Sequence, residues 1–238
     1  MMRSYSKIIL TVFLGLIAGT LVLSGCGQKQ ETPGIQAPAK TQAAAKAAAV
    51  VNQEVPMPSS DPITEERTFY SFETEYLDGW EIPAWAQGKT DHLAKEIVMS
   101  EDFATEGKSS MKVDTDLPGG MWATALVEIQ QYLDLSQYRV IMADIYLPEG
   151  APMGLKAKMV ITVGDNWKFV EMSRSVPLIP GEWATIEANI EPGSYDWKRV
   201  VPDEKFAEDI RKIAIRVESN RKPAYTGVFY IDNVRVGR

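Results

Sequence analysis

Short runs in which apolar and polar residues alternate constrain the fold of this chain more than any other feature. Alternation with a period of two is typical of half-buried β-strands, and turns rich in Gly and Pro, such as LPGG (117–120), separate the runs. The strongest runs are SMKVDT (110–115), WATALVEIQ (122–130), RVIMADIYL (139–147), LKAKMVITV (155–163), WATIEANI (183–190), KIAIRVE (212–218) and VFYIDNVRV (228–236). The one convincing helical stretch is DEKFAED (203–209), which follows Pro202. Many short strands and one short helix predict an all-β fold, an antiparallel β-sandwich.

The stronger runs each have one purely aliphatic face. In the run 122–130 this face consists of Ala123, Ala125, Val127 and Ile129. Burying apolar surface is favourable by roughly 25 cal/mol per Å², so we expect the aliphatic faces to form the core. The opposite faces then carry aromatic and charged residues, namely Trp122, Glu128, Asp144, Tyr146, Lys158 and Arg216. We predict that these residues share one open, concave sheet and form a platform, with Trp167 near one end of the sheet.

The N-terminus has the features of a bacterial export signal. Arg3 and Lys7 precede an apolar run from Ile8 to Leu23, which is too short for a typical membrane span and is typical of a signal-peptide core. The run ends in Leu-Ser-Gly-Cys, which resembles the bacterial lipobox, and Cys26 is the only cysteine of the chain. We predict a lipoprotein signal peptide at 1–25 and lipidation of Cys26, with a plain secretory signal as the alternative.

Residues 26–62 carry the lipidated cysteine and a flexible tether. The segment is rich in Ala, Gln and Pro and contains no aromatic residue, so it has no apolar face to bury. A lipidated Cys26 leaves no thiol for a disulfide, and the lipid is the expected contact with the membrane. Gly27 follows the cysteine, which by resemblance to the sorting rule of diderm bacteria implies the outer membrane. In a monoderm host the same anchor implies the cell surface.

Residues 63–238 have the length of one domain with a sizeable core. The whole chain carries a net charge of −7, and the signal peptide contributes two positive charges while the tether is neutral. The domain is therefore strongly acidic, which argues against nucleic acid or anionic lipid as its partner.

The domain lacks the residue patterns of common catalytic sites. His92 is the single histidine and has no neighbouring nucleophile, and neither a Gly-x-Ser-x-Gly elbow nor a phosphate-binding loop occurs. Glu73 and Glu75 share a strand face, but the Glu-x-Asp-x-x-Glu run of sandwich-type glucanases is missing. We predict that the protein is not an enzyme.

Five motifs in order along the chain resemble those of a known group of proteins. They are YSFETEYLDGW (70–80), ATEGKSSMKV (104–113), LDLSQYRVIMADIYLP (133–148), PGEWATIEANI (180–190) and FYIDNVRV (229–236). These motifs are similar to those of jelly-roll carbohydrate-binding modules of the galactose-binding-like fold. Among such modules, the chain resembles family 11 and the related domain of complex I intermediate-associated protein. The resemblance implies a jelly-roll sandwich and a glycan ligand.

The resemblance also implies a structural Ca²⁺ ion. In many such modules the closing Asp and an acidic residue of the first strand hold this ion, with backbone carbonyls of a nearby loop. The matching positions here are Asp232, Glu73 or Glu75, and the backbone near Lys108. Oxygen ligands suit Ca²⁺, and a bound cation would offset the cost of burying Asp232. The alternative is that Asp232 accepts backbone N–H hydrogen bonds without a metal.

The resemblance and the strand faces together predict a non-catalytic lipoprotein of the cell envelope that binds a polysaccharide or oligosaccharide. Sugar rings stack their C–H faces on aromatic side chains, and their hydroxyls pair with charged groups. The predicted ligand-binding residues are Trp122, Asp144, Tyr146, Lys158, Trp167 and Arg216. Trp80 and Trp183 match core positions, whereas Trp85 fits a core or a binding role. The alternative function is a protein-interaction or structural module of the envelope that uses the same fold without binding sugar.

Overall fold

The structure is a computed structural model, and it describes residues 56–238. The predicted signal peptide, Cys26 and most of the predicted tether lie outside the described residues. Within 56–238, no helix is long and apolar enough to cross a membrane.

The described part of the chain consists almost entirely of β-strands. The strands are β1 (Glu66–Tyr70), β2 (Ala94–Ser100), β3 (Ser110–Leu117), β4 (Trp122–Leu133), β5 (Val140–Tyr146), β6 (Lys156–Val163), β7 (Lys168–Glu171), β8 (Val176–Pro177), β9 (Trp183–Asn189), β10 (Ile210–Asn220) and β11 (Tyr225–Gly237). A short 3₁₀ helix spans Ala84–Ala86. The helix predicted at 203–209 is wrong, because this stretch forms turns that direct Phe206 and Ala207 into the core. A helix this short does not repay the cost of its nucleation.

The strands form two antiparallel sheets. The first sheet has the order β2-β3-β11-β5-β9, with β1 also paired to β11. The second sheet has the order β4-β10-β6-β7, with β8 also paired to β6. Their inner faces pack against each other around one large apolar core. The predicted all-β antiparallel sandwich is confirmed.

The core contains the aliphatic faces that the alternation predicted. Ala123, Ala125, Val127 and Ile129 of β4 are all buried in it. Packing of such faces between two sheets removes both from water and supplies most of the favourable free energy of this architecture.

The tryptophans of the domain divide between core and surface. Trp80 is buried in the core, as predicted, with its ring edge-on to that of Tyr70 at 5.7 Å. Trp183 is only partly buried and pairs with Tyr146 across β9 and β5, on the outer face of the first sheet. The prediction of a core role for Trp183 is wrong, because the residues of β9 in the core are Ile186 and Ala188, which set the opposite alternation.

The predicted single platform is divided between the two sheets. Trp122, Arg216 and Lys158 lie on β4, β10 and β6, which all belong to the second sheet. Asp144 and Tyr146 lie on β5, which belongs to the first sheet. All five residues point outward, but the outer faces of a sandwich point in opposite directions. The prediction that they share one sheet is wrong, because alternation specifies in or out and not the sheet to which a strand belongs.

Candidate functional site

A cleft of about 210 Å³ lies on the outer face of the second sheet. Side chains from four of its strands and from two flanking segments line it, namely Trp85, Leu126, Glu128, Val160, Thr162, Trp167, Phe169, Lys212 and Ala214. We refer to these nine residues as the cleft. Of the residues predicted to bind ligand, only Trp167 lines it.

The floor of the cleft is apolar. Leu126, Val160 and Ala214 form a small cluster separate from the main core of the sandwich. Ala214 pairs directly with Val160 of β6 and with Glu128 of β4, so these strands bring the floor together in the middle of the sheet. An apolar floor on an outward face is unusual for a solvated sheet and is typical of a ligand site.

Exposed aromatic rings form the two walls of the cleft. Trp85 is 47% exposed and lies in the 3₁₀ helix on one side. Trp167 and Phe169 are 41% and 55% exposed and lie at the turn between β6 and β7 and at the start of β7. Each of these aromatic residues keeps about half of its surface exposed after folding, and this exposed surface is free to stack on a ligand.

The local chain path explains why Trp85 stands over the sheet. Backbone hydrogen bonds join Glu81 to Glu128, and a further bridge joins His92 to Thr124. The segment between these two anchors therefore lies along the edge of β4. Trp85, near the middle of this segment, is held above the outer face.

The opposite wall is set by a tight turn. Trp167 has a positive φ of 54°, and its N–H donates to the carbonyl of Gly164 at 3.0 Å. A bulky residue in this region of φ is strained, and such strain is common at functional sites.

The polar groups of the cleft are few and include an ion pair. The Lys212 ammonium donates to Glu128 Oε1 at 2.5 Å, and the two residues lie on adjacent strands. The Thr162 hydroxyl lies on the same face, since Thr162 pairs with Lys212 across β6 and β10. The pair carries no net charge, so these groups suit hydroxyls better than a charged ligand.

A row of paired charges lies beside the cleft. The Arg216 guanidinium donates to Glu171 at 2.6 Å and lies 3.3 Å from Glu218, and Lys158 lies 4.0 Å from Glu218. Burial raises the pKa of the Glu171 carboxyl, but hydrogen bonds from Lys198 and Arg216 outweigh burial and leave this pKa below its usual value. Lys158 and Arg216 are buried and engaged with these acids, so they fix the face beside the cleft and do not line it.

Trp122 lies beyond this charged row. The Arg216 Cζ atom is 5.5 Å from the ring centroid of Trp122, and the Trp122 Nε1–H donates to Glu218 at 3.4 Å. The His92 ring lies between Trp122 and Trp85, at 5.8 Å and 4.9 Å from their rings. Trp122 therefore supports the Trp85 wall through His92 and does not line the cleft itself.

Asp144 and Tyr146 occupy a sealed part of the other sheet. Asp144 accepts hydrogen bonds from Thr185 Oγ1 at 2.6 Å and from Arg235 Nη1 at 2.9 Å. Tyr146 is buried under the ring of Phe103, which stacks on it at 4.4 Å. Neither residue contributes to the cleft.

Asp232 is fully buried and surrounded by hydrogen-bond donors. Its Oδ2 accepts the N–H groups of Thr105 at 2.8 Å and Glu106 at 3.3 Å, and its Oδ1 accepts that of Asn233 at 2.7 Å. A Ca²⁺ ion requires oxygen lone pairs around it, whereas these N–H groups present the positive ends of their dipoles.

Of the other residues implied for a calcium site, Glu73 is engaged in the same way and Glu75 faces solvent. Glu73 accepts the N–H groups of Lys108 at 2.9 Å and Ser109 at 2.8 Å, and Glu75 is exposed to solvent. Between residues 56 and 238, no group of three or more His, Cys, Asp or Glu side chains is placed to hold a metal ion. The donor set does not fit calcium, and the hydrogen-bonded alternative accounts for Asp232. The arrangement therefore predicts no calcium ion at Asp232, and melting temperatures with and without calcium would test this expectation.

Sequence reasoning missed most of the cleft. Trp85 fitted either role, since a loop residue after Pro83 carries no periodic signal. Phe169 and Lys212 lie on β7 and β10, and the sequence of a strand does not show which other strands share its sheet. The available signal was the outward alternation of β4, β6 and β10, which places Glu128, Thr162 and Lys212 on the polar faces.

A protein-family model described as "Mannanase, galactose-binding domain-like" matches residues 70–233. The match covers nearly all of the sandwich, from the end of β1 to the middle of β11. No curated protein matches the chain at a significant level.

Three of the solved structures that are similar to the chain are carbohydrate-binding modules. The module CBM27-1 of Caldicellulosiruptor saccharolyticus, solved with mannohexaose, is 18% identical with a TM-score of 0.51, and the match covers 73% of this chain and 97% of that chain. CBM28, specific for non-crystalline cellulose, is 17% identical with a TM-score of 0.51, covering 74% and 97%. The family 11 module of cellulase Lic26A-Cel5E of Clostridium thermocellum is 18% identical with a TM-score of 0.47, covering 74% and 97%. At these identities the first two likenesses show the fold.

Proposed function

The chain belongs to the family of mannanase galactose-binding-like domains, and on this premise we propose that it binds a mannan-type polysaccharide in the cleft without catalysing a reaction. The family supplies the ligand class. The cleft supplies a place for it, on the outer face of the second sheet.

The observation that carries the proposal is the set of exposed rings around an apolar floor. Trp85 stands on one side, Trp167 and Phe169 stand on the other, and all three line the same cleft. A pyranose ring has an apolar C–H face that stacks on such rings. Each stacked ring contributes about 1 kcal/mol beyond the area that it buries, or roughly fivefold in affinity.

The polar groups support a neutral glycan. Glu128 and Lys212 neutralise each other, so the cleft offers both an acceptor and a donor without a net charge. Sugar hydroxyls are donors and acceptors at once and pair with both members. The acidic character of the domain likewise favours an uncharged polysaccharide over an anionic one.

The lipidation of Cys26 is part of the same proposal. A lipid on Cys26 and a tether as far as residue 62 would hold the sandwich at the cell envelope while leaving the cleft free to reach polysaccharide. The protein would then retain glycan at the cell envelope, where other proteins act.

The test is retention of the lipid-free protein (residues 27–238) on soluble mannan in affinity gels, with hydroxyethyl cellulose and xylan as comparison polymers. Wild-type protein is expected to be retarded by mannan, and Trp85→Ala and Trp167→Ala to be retarded several-fold less. Trp183→Ala is the matched control, because Trp183 lies on the outer face of the other sheet. A wild-type protein that mannan does not retard would contradict the proposal, and one that none of the three polymers retards would leave the protein-interaction alternative.

A further inference from the structure

A fourth aromatic ring lies on the same outer face, next to the Trp167 wall of the cleft. Tyr132, near the end of β4, is 62% exposed and does not line the cleft. Its ring centroid is 6.1 Å from that of Trp167, with an interplanar angle of 79°. The aromatic surface therefore continues past Trp167.

A guanidinium group is held against both rings. Arg211 Cζ lies 5.4 Å from the ring centroid of Tyr132 and 5.1 Å from that of Trp167. Asp209 fixes this guanidinium by accepting from Nε at 3.1 Å and from Nη2 at 2.8 Å. The ion pair leaves other N–H groups of Arg211 available for an outside acceptor, since a guanidinium carries five.

An irregularity of strand pairing produces this arrangement. β10 shifts register against both β4 and β6 between Ile210 and Lys212, and Arg211 lies at the shift. Irregular pairing of this kind redirects side chains and is frequent next to functional sites. Here it places Arg211 beside Tyr132 at the end of the sheet where the cleft ends.

We propose that Tyr132 and Arg211 form an additional sugar subsite, occupied by a further residue of the polysaccharide chain bound in the cleft. The proposal rests on the proposed function, because its occupant is a continuation of that ligand. The sugar's C–H face would stack on the Tyr132 ring and its hydroxyls would accept from Arg211. Trp167 is shared by the cleft and the subsite, which makes the two surfaces continuous. Asp209 is a positioning residue, since it acts by orienting the guanidinium.

The experiment compares the affinities of mannobiose, mannotriose and mannohexaose for residues 27–238 by titration calorimetry. If the subsite extends the cleft, the gain in affinity from triose to hexaose should be about threefold to tenfold larger in the wild type than in Tyr132→Ala. Tyr132→Phe keeps the ring and should behave as the wild type. Tyr76→Ala is the control for loss of an exposed tyrosine, since Tyr76 is exposed and does not line the cleft.

The outcomes separate this proposal from the proposed function. Equal affinities of Tyr132→Ala and wild type at every length would overturn the subsite while leaving the cleft intact. An equal loss at every length would also overturn it, because Tyr132 would then act as part of the cleft wall. A wild type that binds none of the three oligosaccharides would overturn the proposed function itself, and melting curves of each variant show that the fold is retained.

Discussion

Asp144 and Asp232 lie directly opposite each other on the paired strands β5 and β11, and both are buried. Thr105 Oγ1 lies between them, 3.0 Å from an oxygen of Asp232 and 3.4 Å from one of Asp144. Two carboxylates this close repel each other, so nearby positive groups are needed to offset the repulsion. Arg235 supplies a full charge to Asp144, whereas backbone N–H groups supply partial charges to Asp232. The pair thus joins the loop before β3 to the middle of the first sheet.

The titration of Asp232 should be visible in the stability of the domain. Burial raises the pKa of the Asp232 carboxyl above its usual value of 3.8, although the N–H groups of Thr105 and Glu106 oppose the shift. The folded state therefore binds a proton at Asp232 more tightly than the unfolded state does. The stabilisation that this bound proton gives is lost as pH rises through the raised pKa. We expect the free energy of unfolding of wild type, relative to Asp232→Asn, to increase as pH falls from neutral toward about 4.

Denaturant unfolding of both proteins at several pH values measures this difference, and groups that titrate in both proteins cancel. A difference that is independent of pH, or that grows as pH rises, would contradict the assignment.

Arg235 should be needed to compensate the buried charge of Asp144 in the folded state. Arg235→Met leaves the Asp144 carboxylate buried without its cation, which is expected to reduce the free energy of unfolding by about 3 kcal/mol. Asp144→Asn removes the charge that needs compensation, so the double variant should lose less than the sum of the two single losses. Chemical denaturation of the four proteins completes the cycle, and strict additivity would show that the ion pair makes no net contribution.

Calcium should have little effect on the sandwich. The oxygens of Asp232 and Glu73 already accept N–H donors, so no free energy of metal binding is expected to stabilise the folded state. Melting temperatures of residues 27–238 in excess calcium and in chelator should agree. A melting temperature that chelator lowers in the wild type but not in Asp232→Ala would instead establish a calcium site at this carboxylate.

Substitutions of Tyr146 and Trp167 should have opposite effects on folding stability and on mannan retention. Tyr146 is packed under Phe103, so Tyr146→Ala is expected to cost about 3 kcal/mol or more of folding free energy while mannan retention by the folded protein is unchanged. Trp167 is exposed in the cleft, so Trp167→Ala should weaken retention several-fold with little change in stability. The reverse pattern would place the binding surface on the first sheet.

Cys26→Ser should release the protein from membranes without unfolding it. The lipid is the proposed anchor, and the predicted tether has no apolar stretch that would replace it. Fractionation of cells that express each form measures the distribution. A variant that still sediments with membranes after a high-salt wash would reveal a second anchor.

The sequence by itself determined the class of fold and the inward face of most strands. The period of two along β4, β5, β6 and β10 identifies the core residues, because burial of an aliphatic face depends only on which side of its own strand a residue occupies. The five ordered motifs added the family of the fold. Trp183 was the exception, since its own position resembles a core motif while Ile186 and Ala188 set the alternation of β9.

The tertiary structure decided which residues meet. Trp122, Tyr146 and Arg216 all point outward, yet the order of strands places Tyr146 on the opposite side of the sandwich. Trp85 and Phe169 come from segments far apart in sequence, and only the pairing of Glu81 with Glu128 and of β7 with β6 brings them to one cleft. Strand order and edge pairing depend on contacts between distant segments, which local alternation does not encode. Side-chain direction is a local property of the chain, whereas a binding site is a property of the sheet.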